Sequence, residues 1–169
     1  MALRPIAKIG DSVLRKKAKL VPKNKIHTME MRTLIKDMQE TVQASNGIGL
    51  AAPQISVLKQ IIVIDSLYKV ESDLDRQYRQ VLINPRVTEV GTNTESFWEE
   101  CLSVPHLKGF VSRPNSITVE YFDQDANECS LRLENFMATV FQHEIDHLNG
   151  KLYIAVSYTH LRAHETVLD

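Results

Sequence analysis

The chain has 169 residues and a mass of 19.3 kDa, which fits one domain with a core large enough to fold without disulfides. Its 20 Lys and Arg against 21 Asp and Glu give a net charge of -1, so no overall basic field favours specific binding of nucleic acid or an anionic membrane. Hydrophobic residues make up 43% and charged residues 24%, which excludes disordered, collagen-like and coiled-coil classes. No apolar run reaches the ~18 residues of a membrane span, and residues 1–11 lack the apolar core of a secretory signal, so we predict a cytoplasmic protein.

The first predicted element is a helix over residues 28–45. Thr28 can cap its start, and Gly47 is placed to end it. Apolar residues recur between these two positions at the spacing of one helix face, and they are Met31, Leu34, Ile35, Met38 and Val42.

Three segments after this helix have strand patterns. Residues 60–65 and 80–90 are rich in β-branched side chains, and residues 116–123 alternate between apolar and polar side chains. The polar segment 67–79 between the first two has no defensible period and is predicted to be a loop.

A second helix is predicted to begin with Asn135 as its cap and to end at Gly150. Met137, Phe141 and Leu148 share one face of it, and a neighbouring face carries Phe136, Val140, His143 and His147. A helix, then strands, then a helix predicts an α+β fold, because the order lacks the strict alternation of a doubly wound parallel sheet.

The last residues, 156–169, differ in composition and patterning from the rest of the chain. Residues 156–169 are crowded with aromatic, His and charged side chains without a clear stripe, similar to a translated cloning segment. We therefore predict a single domain over residues 1–155 and an atypical, non-native tail over 156–169.

The residues that carry chemistry begin with His143-Glu144-Ile145-Asp146-His147, an H-E-x-x-H run inside the second predicted helix. Residues four apart lie on one helix face, so His143 and His147 can offer two ring nitrogens to one metal ion. Glu144 would then lie beside the ion, where it could accept a proton from a water molecule whose pKa the ion lowers.

A catalytic metal site needs a third protein ligand. The metzincin pattern would place a His at position 153, which is Tyr153. A thermolysin-like enzyme would need a downstream carboxylate, and the only Glu after the motif is Glu165 in the tail. Cys101 is the remaining candidate, since a thiolate and two imidazoles form a sound tetrahedral set with water. Taken by itself, a Cys such as Cys101 is more often a structural thiol than a ligand. Cys129 is predicted to be a core or surface thiol.

Residues 47–54, Gly-Ile-Gly-Leu-Ala-Ala-Pro-Gln, satisfy the permissive dinucleotide pattern G-x-G-x-x-A. A dinucleotide loop follows a strand and opens a helix, whereas this segment follows a helix and contains Pro53. The alternative from the residues alone is a helix-ending turn.

Three segments together resemble, in order and at similar spacing, the motifs of peptide deformylase. They are residues 47–54, the Glu-Glu-Cys-Leu-Ser run at 99–103 and the Gln-His-Glu-Ile-Asp-His-Leu run at 142–148, and the likeness extends from about residue 6 to residue 154. The resemblance implies mostly antiparallel sheets packed around a central C-terminal metal-binding helix, with a long N-terminal helix. It also implies a hydrolase that removes the formyl group from the N-terminal formyl-methionine of nascent polypeptides and releases formate, with a transient ribosome contact.

The resemblance implies roles for individual residues. Cys101, His143 and His147 would hold one divalent ion, and Glu144 would move the proton. Ligands of this type suit Zn in general, whereas the family points to Fe(II) in the cell, with Zn, Ni or Co able to replace it. The side-chain amide of Gln54 and the backbone N–H of Leu102 would stabilise the oxyanion.

For the substrate, the family pairs an extended peptide with the backbone near Ile48 and Gly49 and buries the methionine side chain in an apolar pocket. Ile48, Phe136 and Val140 are the pocket candidates, and each is equally plausible as plain core. Glu99 and Arg113 are expected to form a supporting ion pair that orients the Cys101 loop.

One departure from the family pattern concerns Glu100, because the family has Gly immediately before the metal-binding Cys. A side chain there would be strained if the position needs a positive φ. An alternative is therefore a catalytically impaired, metal-stapled module that binds formyl peptides. A zincin-type peptidase, supported only by the H-E-x-x-H run, is a third hypothesis.

Overall fold

A computed structural model of the chain describes residues 2–66, 78–156 and 159–163. Most of the predicted loop, residues 67–77, lies outside the described residues, and the prediction is wrong for positions 78 and 79, which belong to a strand. None of the helices in the described part of the chain is long and apolar enough to cross a membrane.

The fold is mixed α and β, and the described residues form two α-helices and two antiparallel sheets. The helices are α1, Met29–Ala44, and α2, Asn135–Leu148. The strands are β1 Gly49–Ala51, β2 Ile61–Ser66, β3 Tyr78–Val90, β4 Thr94–Cys101, β5 Val104–Pro114, β6 Ser116–Phe122, β7 Glu128–Glu134 and β8 Thr159–Ala163. One sheet has the order β1-β2-β3-β6-β7, and the other has the order β4-β5-β8.

Helix α1 lies within one residue of the prediction at each end. The Thr28 hydroxyl accepts a hydrogen bond from the Met31 N–H at 3.4 Å, as an N-cap does. The predicted stop is wrong in detail, because Asn46, not Gly47, adopts the left-handed conformation with φ +52°. The N–H groups of Asn46 and Gly47 then reach the carbonyls of Gln43 and Val42, which closes the helix with a Schellman motif.

The centre of the larger sheet is buried on both faces, which explains the unbroken apolar run in β2. Ile61 and Val63 pack with the buried stripe of α1, and Ile62 and Ile64 pack on the other face with Ala138 and other buried residues of α2. Because side chains alternate along a strand, one short β-branched segment joins both helices to the sheet.

Helix α2 begins where β7 ends, without a linker. The prediction of Asn135 as the cap is wrong, because Glu134 occupies the cap position and makes no side-chain cap hydrogen bond. Asn135 instead turns the chain with φ +54°, a conformation that Asn tolerates better than most residues, and its N–H donates to the Asn115 carbonyl. Gly150 ends the helix as predicted, with φ +70°.

Five strands have no counterpart in the prediction: β1, β4, β5, β7 and β8. Strands β4 and β5 contain Glu, Pro and Gly, residues with a low intrinsic preference for strands. Each of the two segments is extended because it pairs with the other. Strand β8 lies in the predicted tail, where residues 159–163 pair with residues 107–111 along the edge of β5. Part of the predicted tail, residues 159–163, therefore belongs to the smaller sheet.

Candidate metal centre

Helix α2 supplies the two imidazoles of the site. His143 and His147 are both buried, and their ring centroids are 5.0 Å apart because one helical turn separates them. The hydroxyl of Tyr153, the position that a metzincin ligand would occupy, donates to the Leu107 carbonyl at 2.7 Å, while its ring stacks on His143. Tyr153 thus packs against the candidate ligand His143, and its hydroxyl is bonded to a backbone carbonyl.

The thiol comes from the smaller sheet. Cys101 ends β4, and a two-residue turn, Leu102–Ser103, connects it to Val104 of β5. The Cys101 Sγ lies 3.3 Å from the His147 Nε2, and the ligand atoms of Cys101, His143 and His147 all lie within 4.8 Å of one another. A tetrahedral ion bound by sulfur and nitrogen would hold the two atoms about 3.6 Å apart, so the observed separation suits a shared ion.

An ion pair supports the first imidazole from behind. Glu99 accepts two hydrogen bonds from Arg113, Nε to Oε1 at 2.6 Å and a second guanidinium nitrogen to Oε2 at 3.0 Å. The same Oε2 lies 2.7 Å from the His143 Nδ1, which leaves the Nε2 of that ring for the site. A carboxylate behind a ligating imidazole is the usual second partner of a metal-bound His. The expected Glu99–Arg113 pair is therefore present, and it contacts His143 directly.

The buried groups of the site shift each other's pKa values. Burial raises the pKa of Glu99, but the hydrogen bonds from His143 and Arg113 outweigh it and hold that pKa below its usual value. Burial lowers the pKa of His147 well below the usual range, with His143 adding to the effect. For His143 burial also acts to lower the pKa, yet the contacts with Cys101 and Glu99 raise it well above the usual value. The two imidazoles therefore differ in direction without an ion: the shift of the His147 pKa favours the neutral ring that a metal ligand must be, and the shift of the His143 pKa favours the charged ring.

Glu144 lies against the backbone of β1. A Cβ atom added to Gly49 would stand 2.8 Å from Oε1 of Glu144, so the missing side chain of Gly49 makes room for this carboxylate. The other oxygen, Oε2, is buried and has no hydrogen-bond partner among the described residues. Burial raises the pKa of Glu144 to about 7. The carboxylate is therefore held beside the candidate ligands with one oxygen uncommitted within the described part of the chain.

Gln54 is buried next to the thiol. Its Oε1 accepts from the Ala51 N–H at 2.9 Å, which fixes the orientation of the amide. Its Nε2 then lies 3.6 Å from the Cys101 Sγ and 3.2 Å from the Ser103 Oγ. A short 3₁₀ turn, Ala52–Ile55, presents this side chain, so the segment 47–54 forms a strand and a turn and no dinucleotide loop.

A cavity of about 610 Å³ opens onto these groups. Gln54, Cys101, His143 and Glu144 line it. All four predicted substrate residues line it as well, namely Ile48, Gly49, Phe136 and Val140. Its volume falls in the range of pockets that enclose a small ligand or part of a peptide.

Comparison with known proteins identifies the family. The family model for polypeptide deformylase matches residues 3–160. The chain belongs to this family. The peptide deformylase of Leptospira biflexa is 41% identical over 160 residues, which cover 91% of this chain and 87% of that protein.

Solved structures of the family share the fold. The crystal structure of peptide deformylase from Ehrlichia chaffeensis superposes with a TM-score of 0.85 at 32% identity and covers 92% of this chain and 88% of that one. The Met-Ala-Ser-bound class I type b peptide deformylase from Acinetobacter baumannii has a TM-score of 0.84 at 30% identity, covering 90% of this chain and 97% of that one. The resemblance in the three sequence motifs is thereby confirmed.

Glu100 is not strained in the way that its departure from the family pattern led us to expect. Its φ is not positive, and its half-exposed carboxylate forms an ion pair with Lys108 at 2.5 Å across the hairpin. The left-handed residue of this hairpin is His106, with φ +65°. The local irregularity is therefore accommodated in β5, opposite Glu100.

Sequence reasoning missed several residues around the site. Asp146 accepts a hydrogen bond from Arg113 at 2.8 Å, and Ser103 bonds Gln54, although both lie inside the recognised motifs. Lys8 and Trp98 line the cavity, and no periodicity or spacing connects them to the motifs. Cys129 is half-buried, with its sulfur near Asp123 and Asn127, away from the three candidate ligands.

Proposed function

We propose that this chain is a peptide deformylase, a metal-dependent hydrolase that removes the formyl group from the N-terminal formyl-methionine of nascent polypeptides. The products are formate and a free amino terminus. The observation that carries this proposal is the convergence of Cys101, His143 and His147 at one point, with Glu144 beside them in a cavity.

The donor set fits a divalent ion. One sulfur and two imidazole nitrogens are ligands for soft or borderline metals. The Cys101 Sγ and the His147 Nε2 are only 3.3 Å apart. Cys101, His143 and His147 would hold the ion, which when bound supplies Lewis acidity that activates water and polarises the formyl carbonyl. We propose Fe(II) as the ion used in the cell, with Zn, Ni or Co able to take its place.

An iron-loaded preparation should then lose activity faster in air than under argon. Equal loss of activity in air and under argon, with iron confirmed by elemental analysis, would contradict the choice of iron.

Glu144 is proposed to move the proton. Its carboxylate is held against Gly49 in the cavity that Cys101 and His143 also line. From this position it can accept a proton from the attacking water and deliver it to the leaving amine, as a general base and then a general acid.

Two hydrogen-bond donors are proposed for the oxyanion. The Nε2 of Gln54 faces the thiol, and the backbone N–H of Leu102 belongs to the residue that follows Cys101. Removing one such donor from an enzyme typically lowers kcat about 100- to 1000-fold.

The substrate is proposed to add a strand to β1, which is an edge strand of the larger sheet. Ile48 and Gly49 would pair with the peptide backbone, while Ile48, Phe136 and Val140 would contact the methionine side chain. The relative from Acinetobacter baumannii with bound Met-Ala-Ser supports a peptide ligand of this type. Glu99 and Arg113 would hold His143 in the orientation needed for an ion.

We assign this activity to the domain over residues 1–155 and give residues 156–169 no role in it beyond strand β8, which extends the smaller sheet. Because the proposed substrates emerge from the ribosome, the proposal includes action in the cytoplasm and a transient contact with the ribosome. It includes no specific binding of nucleic acid.

The test is formate release from formyl-Met-Ala-Ser by the metal-loaded protein. Glu144→Gln keeps the shape of the side chain but cannot accept the proton, so kcat should fall about 100- to 10,000-fold while the metal content stays unchanged. Glu128→Gln, at an exposed position that does not line the cavity, is the matched control and should keep its activity. Equal rates for wild type and Glu144→Gln would remove the mechanism, binding of the formyl peptide without turnover would favour the binding module, and cleavage of an unformylated peptide would favour the zincin-type peptidase.

A further inference from the structure

The amino-terminal segment, residues 7–9, contacts both places from which the proposed oxyanion donors come. The Ala7 N–H donates to the Gln54 carbonyl at 2.7 Å, and the Ile9 N–H donates to the Ser103 carbonyl at 2.7 Å. The 3₁₀ turn that presents Gln54 and the hairpin turn that contains Leu102 are far apart in sequence, and this segment joins them.

Lys8, which lies between Ala7 and Ile9, makes a third hydrogen bond from this segment. Its Nζ donates to the Leu102 carbonyl at 2.6 Å, and the side chain lines the cavity. The backbone of Lys8 is itself held, because its N–H donates to Asp11 Oδ2 at 2.8 Å and its carbonyl accepts from the Asp11 N–H at 2.9 Å. The Asp11 contacts fix the backbone of Lys8, while its exposed ammonium group is held by the bond to the Leu102 carbonyl.

The Leu102–Ser103 turn is fixed through its side chains, because Ser103 is buried and Leu102 packs against the core, whereas the Leu102 carbonyl is bound by Lys8. A two-residue connection leaves the orientation of its peptide groups to local rotation, and the register of β4 and β5 is irregular immediately before it. The carbonyl that Lys8 holds belongs to Leu102, so fixing it restricts rotation about the same Cα atom that carries the Leu102 N–H. Ser103 restrains the far side of the turn through its bonds to Ile9 and Gln54.

We propose that Lys8 is a positioning residue for catalysis, which holds the Leu102–Ser103 turn so that the Leu102 N–H points at the developing oxyanion. This inference rests on the proposed function. Lys8 has no direct contact with the reacting atoms in this proposal and acts through the turn. A hydrogen bond from an ammonium group is stronger than one between neutral groups, which suits a side chain at the edge of a cavity.

Two measurements on the metal-loaded protein test the proposal, and three variants separate its causes. Lys8→Met keeps the apolar stem and removes the donor, Lys8→Arg keeps a charged donor, and Lys16→Met removes an exposed lysine that does not line the cavity. The first measurement is hydrogen–deuterium exchange of peptides covering residues 99–107, which requires no turnover. The second is kcat and KM for formyl-Met-Ala-Ser.

In Lys8→Met we expect exchange in the turn to accelerate several-fold and kcat to fall about tenfold, less than for loss of a whole donor, with KM and metal content nearly unchanged. Lys8→Arg should recover most of both effects, and Lys16→Met should show neither. Unchanged exchange would overturn the proposal, because Lys8 would then not hold the turn. Faster exchange with an unchanged kcat would also overturn it, because the restraint would not serve catalysis. A wild-type protein without formate release would refute the proposed function instead, and the exchange result would still decide whether Lys8 holds the turn.

Discussion

At the scale of single residues, Glu99 links Arg113 to one of the candidate metal ligands, His143. Its carboxylate binds Arg113 through both oxygens and His143 through one of them, all three side chains being buried. A buried carboxylate with charge-assisted bonds on both sides orients an imidazole and increases its basicity as a ligand.

Replacing Glu99 with Gln should weaken metal binding about 10- to 100-fold, because the amide keeps the shape but loses the negative charge behind His143. The measurement is metal affinity from competition with a chelator. Glu95→Gln, on the same strand and exposed, is the matched control and should leave the affinity unchanged. An unchanged affinity in Glu99→Gln would show that the pair has no influence on the ligand.

Gly49→Ala tests whether the position of Glu144 matters. The φ of Gly49 is not positive, so the backbone accepts Ala, but the new Cβ would stand 2.8 Å from the carboxylate and displace it. We expect kcat for formyl-Met-Ala-Ser to fall about 10- to 100-fold with metal still bound, since small misplacements of a catalytic group have effects of this size.

The same substitution in a Glu144→Gln background provides the control. If Gly49→Ala acts through Glu144, its additional effect on kcat in that background should be small, because the two changes affect one group. Fully multiplicative losses would show that Gly49 acts by another route, such as pairing with the substrate.

At the scale of elements, the position of α2 is determined at both ends. Its start follows β7 directly, and its end meets the amino-terminal region, where the Ala18 N–H donates to the Leu148 carbonyl at 2.8 Å. A Cβ atom on Gly150 would lie 2.6 Å from the Arg15 carbonyl oxygen. Both imidazoles are on this helix, so the way it is anchored decides where they lie.

Gly150→Ala should destabilise the protein by about 1 to 3 kcal/mol, because the residue needs φ +70° and has backbone atoms against it. The free energy of unfolding in urea is the measurement. Gly10→Ala is the control, since Gly10 also has a positive φ of +106° but an added Cβ meets no atom within 4 Å. Because φ +106° is less accessible to an L residue than φ +70°, a smaller loss for Gly150→Ala than for Gly10→Ala would mean that the contact with Arg15 has little energetic effect.

At the scale of the whole molecule, the candidate ligands connect separate parts of the fold. Cys101 belongs to the smaller sheet, while His143 and His147 belong to the helix that packs on the larger sheet. An ion held by all three would join these parts in the folded state and not in the unfolded one.

Metal removal should therefore lower the midpoint of thermal unfolding. An ion present at about 100 times its Kd stabilises the folded state by about 2.7 kcal/mol, which corresponds to roughly 5 to 10 °C for a chain of this size. Cys101→Ser should unfold at nearly the same temperature with and without chelator, whereas Cys129→Ser should keep the difference. If both variants respond to chelator like the wild type, Cys101 is not a ligand.

Several features of the fold and the site follow from local patterns. The α1 stripe, its Thr28 cap and the Gly150 stop depend on interactions within a few residues, so periodicity and capping rules could place them. The pairing of β4 with β5 could not be placed in this way, because Glu, Pro and Gly in a strand are tolerated only when the facing strand and the packing compensate.

The amino-acid sequence by itself determined which residues are able to hold an ion and the helix on which two of them lie, because the four-residue spacing of His143 and His147 is a local property. The tertiary structure alone decided that Cys101 meets them, that Asp146 and Glu99 share Arg113, and that Lys8 reaches Leu102. These contacts join residues that are distant in sequence. Their distances depend on how the sheets and helices pack, which no local pattern encodes.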